Sequence, residues 1–283
     1  MAEWIANDRN PLTPRVAVNH IWLRHFQSAL VDSVYNFGRN GAQPTHPDLI
    51  NWLAAELIQH DWSMKHLHRL IVTSAAYQRQ SGFDAGDATV AHNVTLDPDN
   101  RALWRMNASR MEAEIIRDSI LSISGTLDTT LGGQELENNE SLTTFRRSLY
   151  YSVHPEAGGM SEMGKLFDAP DPGECYRRTK TVVPQQALAL TNSTLVHVQS
   201  EALAARLSTE SSTAADPETA FITAAFEDIL TRPPADAELE RCQTFLSQQL
   251  TQVATDKTPD PTASSRASLV RALFNHNDFV TVR

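Results

Sequence analysis

One thiol, Cys175, stands beside two guanidinium groups, Arg177 and Arg178, within residues 167–190, FDAPDPGECYRRTKTVVPQQALAL. Fixed positive charge next to a thiol favours the thiolate, and a guanidinium fork matches a flat anion such as a carboxylate. A cysteine nucleophile also needs a positioned base. Histidine is the usual choice, and His154 and His68 are the ones that could approach; with Asp168 upstream, the catalytic candidates are Cys175, Asp168 and His154. Arg146 and Arg147, in RRSLYYS, join Arg177 and Arg178 as candidate ligand-binding cations. The plainer reading makes Cys175 a small buried residue and uses the arginines to tie helix ends to acids such as Asp168 and Asp171.

A second charged run is NRALWRMNASRMEAEIIRD, residues 100–118. Arg110 and Glu114 are one helical turn apart, as are Glu114 and Asp118. Two carboxylates buried together would raise at least one pKa and suit acid–base chemistry. Arg110 and Arg117 lie within reach, and an ion network is the favoured reading. Among His46, His60, His66 and His68, the last two are two residues apart and diverge on a helix. With no HExxH pattern and no cysteine pair, no metal and no cofactor is expected, and a metal site assembled from distant segments is the minor alternative. FGRNGAQP and LGGQ match no phosphate-binding loop, and no GxSxG elbow is present.

The elements that must carry these groups are mostly helical. Val16, Ile21, Trp22, Phe26 and Leu30 mark one helix after Pro14, followed by a Gly/Pro-rich loop over residues 36–47. Leu49, Trp52, Leu53 and Leu57 mark a second helix, and Ser63 caps a third carrying Leu67, Leu70 and Ile71. DPDN at 97–100 predicts the start of one long helix over residues 101–124. Leu149, Tyr151 and Val153 alternate as a strand does, with residues 180–183 as the expected partner. Asp216-Pro217-Glu218 reads as cap, N1 proline and acidic first turn. The expected fold is mostly α: packed helices, a small two-stranded β element near the thiol segment, and a C-terminal helical bundle. Residues 1–209 form the expected main domain, and residues 210–283 a helical subdomain. The tryptophans are expected mostly in the core.

A chain of 283 residues can bury a substantial core, and a net charge of −10 argues against general nucleic-acid binding. It still permits a local basic pocket. The two cysteines, Cys175 and Cys242, show no metal or haem spacing. No run approaches a membrane span, and the first residues lack a secretory signal pattern. Read alone, these residues describe a chain that stays in the cytosol.

Several long strings are similar to a planctomycete-type C-terminal domain of unknown function, the PSD-one family. They are NPLTPRVAVNHIW, FGRNGAQPTHPDLINWLA, DWSMKHLHRLIVTSAAYQRQS, DPDNRALWRMNASRMEAEIIRDSIL, RRSLYYS, FDAPDPGECYRR with VVPQQALAL, and ALFNHNDFV. The resemblance spans nearly the whole chain. It implies the C-terminal module of an exported or envelope-associated bacterial protein, with N-terminal domains or a split gene product as partner. Location is therefore open between cytosol and envelope.

The preferred expectation is a binding or assembly module with Arg146, Arg147, Arg177 and Arg178 around an anionic ligand. Context makes an acidic or sulfated polysaccharide the ligand class. The alternatives are a hydrolase or lyase acting on an anionic carbohydrate, and an accessory partner of a cytochrome-linked system.

Overall fold

The computed structural model describes residues 1–283 apart from 6, 8, 83–85, 157–158, 170–171, 175–180, 256–258 and 283; of residues 174 and 253–255 it describes the backbone alone. The chain is mostly helical and divides into two compact units, residues 1–109 and residues 110–282. The expected boundary at 209/210 falls inside one continuous helix of the second unit.

The first unit holds α1 (Ala2–Ile5), α2 (Leu12–Phe26), α3 (Pro47–Gln59), α4 (Met64–Val72) and α5 (Ala88–Leu96). Pro14 sits in the first turn of α2, where its missing N–H has no intrahelical acceptor to lose. Gln27 ends α2 in the left-handed conformation, φ 58°. Pro47 opens α3, and the Ser63 hydroxyl accepts from His66 N–H to open α4. Val18, Ile21, Trp22 and Phe26 of α2 pack against Ile50, Leu53 and Leu57 of α3, with Leu67 and Ile71 of α4 closing the core. The 36–47 segment is a loop, as expected. Gly41 is obligatory within it, since a Cβ there would lie 2.0 Å from the Asn36 carbonyl oxygen. Buried Asn19 pins the chain after α2 by accepting from Val31 N–H (2.9 Å) and donating to Val31 O (3.1 Å).

The long helix expected over residues 101–124 does not form in its first half. Asp97 accepts from the N–H groups of Arg101 and Ala102, and Asn100 donates to Arg105 O. These side chains offer the backbone a turn in place of a helix, and Asn100 and Leu103 adopt positive φ. Trp22 is buried, but Trp52 is half exposed and Trp4 more so, against the expectation for the tryptophans.

The second unit holds α6 (Ala113–Ile123), α7 (Glu162–Leu166), α8 (Pro184–Asn192), α9 (Thr194–Ser211), α10 (Pro217–Leu230), α11 (Asp236–Thr255), α12 (Pro261–Phe274) and α13 (Asn277–Val280). Asp216 caps α10 with Pro217 at N1, as the sequence predicts, and Asp260-Pro261 repeats the device at α12. The C-terminal helices do cluster. Their core is shared with α6 and α9: Ile116, Ile120, Leu203 and Leu207 join Phe221, Val270 and Phe274. A short two-stranded antiparallel sheet pairs β1 (Ser109–Arg110) with β2 (Thr281–Val282).

That sheet is not the predicted one. Residues 148–150 form a 3₁₀ turn, and Thr181–Val183 carry no strand. Leu149 is largely exposed and Tyr151 is buried, so the alternation reflects a turn with one face inward. Single parallel bridges, Asp128 to Arg146 and Leu136 to Tyr151, hold this region instead. Among the described residues no helix is long and apolar enough to cross a membrane.

Candidate functional site

In the second unit, residues 126–153 wrap one face of α6 through a connected set of polar contacts. Arg117 projects from that face and is fully buried. Its Nε donates to Ser141 O (2.8 Å), Nη1 to Arg146 O (2.8 Å), and Nη2 to Thr144 O (2.6 Å) and the Tyr151 hydroxyl (3.0 Å). Burial pushes the guanidinium pKa down, and neighbouring Tyr151 and Asp118 oppose that shift. The group stays charged, because arginine does not deprotonate in proteins. A buried cation satisfied by main-chain oxygens organises the irregular segment around itself.

Asp118 supplies the opposite polarity. Its carboxylate accepts from Ser148 N–H (2.8 Å) and the Ser148 hydroxyl (2.7 Å). Arg117 Nη1 approaches the same carboxylate at 3.4 Å and Arg147 Nε at 3.6 Å. Beside this junction a cavity of about 60 Å³ opens between α6 and α7, with Glu114, Asn138, Ser148, Ser152 and Ser161 among its polar lining. The Asn138 amide donates to Ser152 O at 2.7 Å and sets one wall. A cavity of this size admits a single polar group, not a sugar ring.

The predicted site residues are distributed as follows. Arg146 Nη2 donates to Thr130 O (3.1 Å) and Gly132 O (2.6 Å), and its guanidinium lies 3.8 Å from the Tyr150 ring centroid. It therefore staples a loop. Arg147 leaves half of its side chain in solvent, with Asp118 as neighbour. Asp168, at φ 57°, accepts from Thr181 N–H (2.6 Å) and the Thr181 hydroxyl (2.9 Å), so its oxygens anchor the start of the segment leading to α8. His154 Nδ1 lies 3.2 Å from a Glu156 carboxylate oxygen in an open position. Cys175, Arg177 and Arg178 lie outside the described residues. Arg117, the centre of the arrangement, was legible in the sequence only as one member of an ion network; its burial on the α6 stripe beside Ile116 and Ile120 was the available signal.

Cys242, the other thiol, is buried in the core of the second unit. Burial and then the Glu238 charge push its pKa up, opposite to what a nucleophile needs.

The first unit has two features of its own. A hollow of about 250 Å³ adjoins the 36–47 loop, lined by Leu12, Val31, Phe37 and Ile50, with Arg15 held by Asn51 at 2.8 Å. Separately, the turn between α3 and α4 brings Glu56, His60 and His66 together, their ligating atoms all within 4.8 Å of one another. His68, by contrast, meets His25 at 2.7 Å.

A family model described as PSD1, protein of unknown function (DUF1553), matches residues 1–246. No curated protein and no solved structure matches the chain.

Proposed function

The chain belongs to the PSD1 family of proteins of unknown function, and from that premise we propose that it is a binding or assembly module that takes an anionic group beside Asp118. The observation that carries this reading is the sharing of one carboxylate, Asp118, by two guanidinium groups, Arg117 and Arg147. With Asp118 alone, these two guanidinium groups leave one positive charge, on the half-exposed Arg147, while the Glu114 carboxylate lies on the cavity side of the junction. A protein of net charge −10 repels a polyanion at long range, so binding depends on such a local excess. The ligand class is an acidic or sulfated polysaccharide of the bacterial envelope, whose carboxylate or sulfate matches a guanidinium fork. The neighbouring cavity, at about 60 Å³, takes no more than one polar substituent of such a chain, so the contact proposed is at the surface, with Arg147. Of the catalytic candidates among the described residues, Asp168 is bonded to Thr181 and His154 lies beside Glu156.

The test is thermal unfolding at low salt with a sulfated and a carboxylated oligosaccharide, in the wild type and in Arg147→Ala. A stabilising ligand raises the midpoint by mass action, and the increment should vanish in the variant and shrink with added salt. An equal increment in Arg147→Ala, or none in the wild type, overturns the reading.

A further inference from the structure

We propose that Glu56, His60 and His66 form a binding site for a divalent transition-metal ion of the zinc class. The three residues belong to the first unit, and the proposal stands independently of the anion reading.

The backbone that presents them is tightly specified. Glu56 and His60 are four residues apart at the end of α3, so their side chains share one helical face. Asp61 and Trp62 follow with φ of 52° and 58°, and this left-handed pair reverses the chain. Trp62 N–H closes on Leu57 O at 2.8 Å, and Ser63 caps α4 through His66 N–H. His66 is thereby returned over His60, the two rings stacked at 3.7 Å between centroids and 13° between planes. Leu53 and Leu57 of α3 and Leu67 and Ile71 of α4 are buried beneath, which holds the turn against the core.

The donor spacing suits a metal. Glu56 Oε2 lies 3.3 Å from His60 Nδ1 and 3.0 Å from His66 Nε2. Two donors each about 2.0–2.1 Å from zinc at the tetrahedral angle are separated by about 3.3 Å. The remaining separation closes when the nearly half-exposed His60 ring rotates out of its stack on His66, since a metal ion lies in the plane of each imidazole that binds it and two parallel stacked planes do not meet at one ion. In the bound state His60 carries its proton on Nε2 and exchanges its 3.0 Å contact with the Glu56 carbonyl for the metal. Two imidazole nitrogens and one carboxylate select zinc, cobalt, nickel or copper over magnesium and calcium, which take oxygen donors. Three protein ligands on a partly exposed surface leave outward coordination positions to water.

The experiment is calorimetric titration of the full chain with zinc chloride and, separately, magnesium chloride. One saturable zinc per chain is expected, with magnesium far weaker. The His60→Ala/His66→Ala double variant should lose more than the about 10- to 100-fold that removal of an outer partner alone costs. Glu56→Gln should weaken binding, and His46→Ala should leave it unchanged. Should the double variant not fold, copper(II) electron paramagnetic resonance on the wild type decides the matter through coupling to two imidazole nitrogens. Absence of saturable zinc binding, equal affinity in the folded double variant, or a copper signal lacking two nitrogens would overturn the proposal.

Discussion

Arg117 and Asp118, adjacent on α6, grip the same loop with opposite polarity: Arg117 donates to the carbonyls of Thr144 and Arg146, while Asp118 accepts from the N–H and hydroxyl of Ser148. The loop is thus held at its oxygens by one residue and at its hydrogens by the next. No regular strand is needed to satisfy its backbone.

Arg117→Ala should destabilise the second unit by about 3–5 kcal/mol, because Ser141 O, Thr144 O and Arg146 O lose their donor in the interior. Arg117→Lys should fall between, keeping the charge and losing the fork. Urea unfolding measures both. A loss below about 1 kcal/mol for alanine would show that water substitutes for the guanidinium.

Arg146→Ala should act locally. Its acceptors Thr130 O and Gly132 O are exposed and regain water, so the global cost is about 0.5–1.5 kcal/mol. Amide hydrogen exchange should quicken over residues 128–136 and stay slow in α9. Uniform acceleration across both regions would contradict a staple confined to the loop.

Glu238 provides a pH test. Hydrogen bonds from Arg232, then from Ala235 N–H, hold its carboxyl at about 2, below the ordinary 4.5. A depressed folded pKa gives stability that is fully present above about 4.5 and is lost as pH falls toward 2. Arg232 also binds Asp278, so the contact joins the start of α11 to α13. Glu238→Gln should lower stability at pH 7 by up to about 1 kcal/mol, with the gap to wild type narrowing in acid. A gap independent of pH would exclude the ion pair as its cause.

Cys242 should be inert in the native state. In a Cys175→Ser background, a thiol reagent at neutral pH should react slowly until denaturant is added, because the raised pKa and burial both withhold the thiolate. Rapid native labelling would place the thiol at a surface.

Much of the helical plan is local chemistry and is legible in the sequence. Ser63, Asp216-Pro217 and the apolar stripes of α2, α3 and α4 act over a few residues, so their types and spacing suffice. Residues 101–112 misled because side-chain-to-backbone bonds from Asp97 and Asn100 compete with helix over the same short range. Leu149, Tyr151 and Val153 misled because a turn with one buried member imitates strand alternation.

The sequence by itself determined the starts of α3, α4 and α10, the acidic overall charge, and the family strings that frame both units. Tertiary structure alone decided which charges meet: Arg117 with carbonyls up to 29 residues away, and His66 with Glu56 and His60 across a reversed chain. The reason is physical. Capping and periodicity are properties of neighbouring residues, whereas the partner of a buried charge depends on which distant backbone is folded over it.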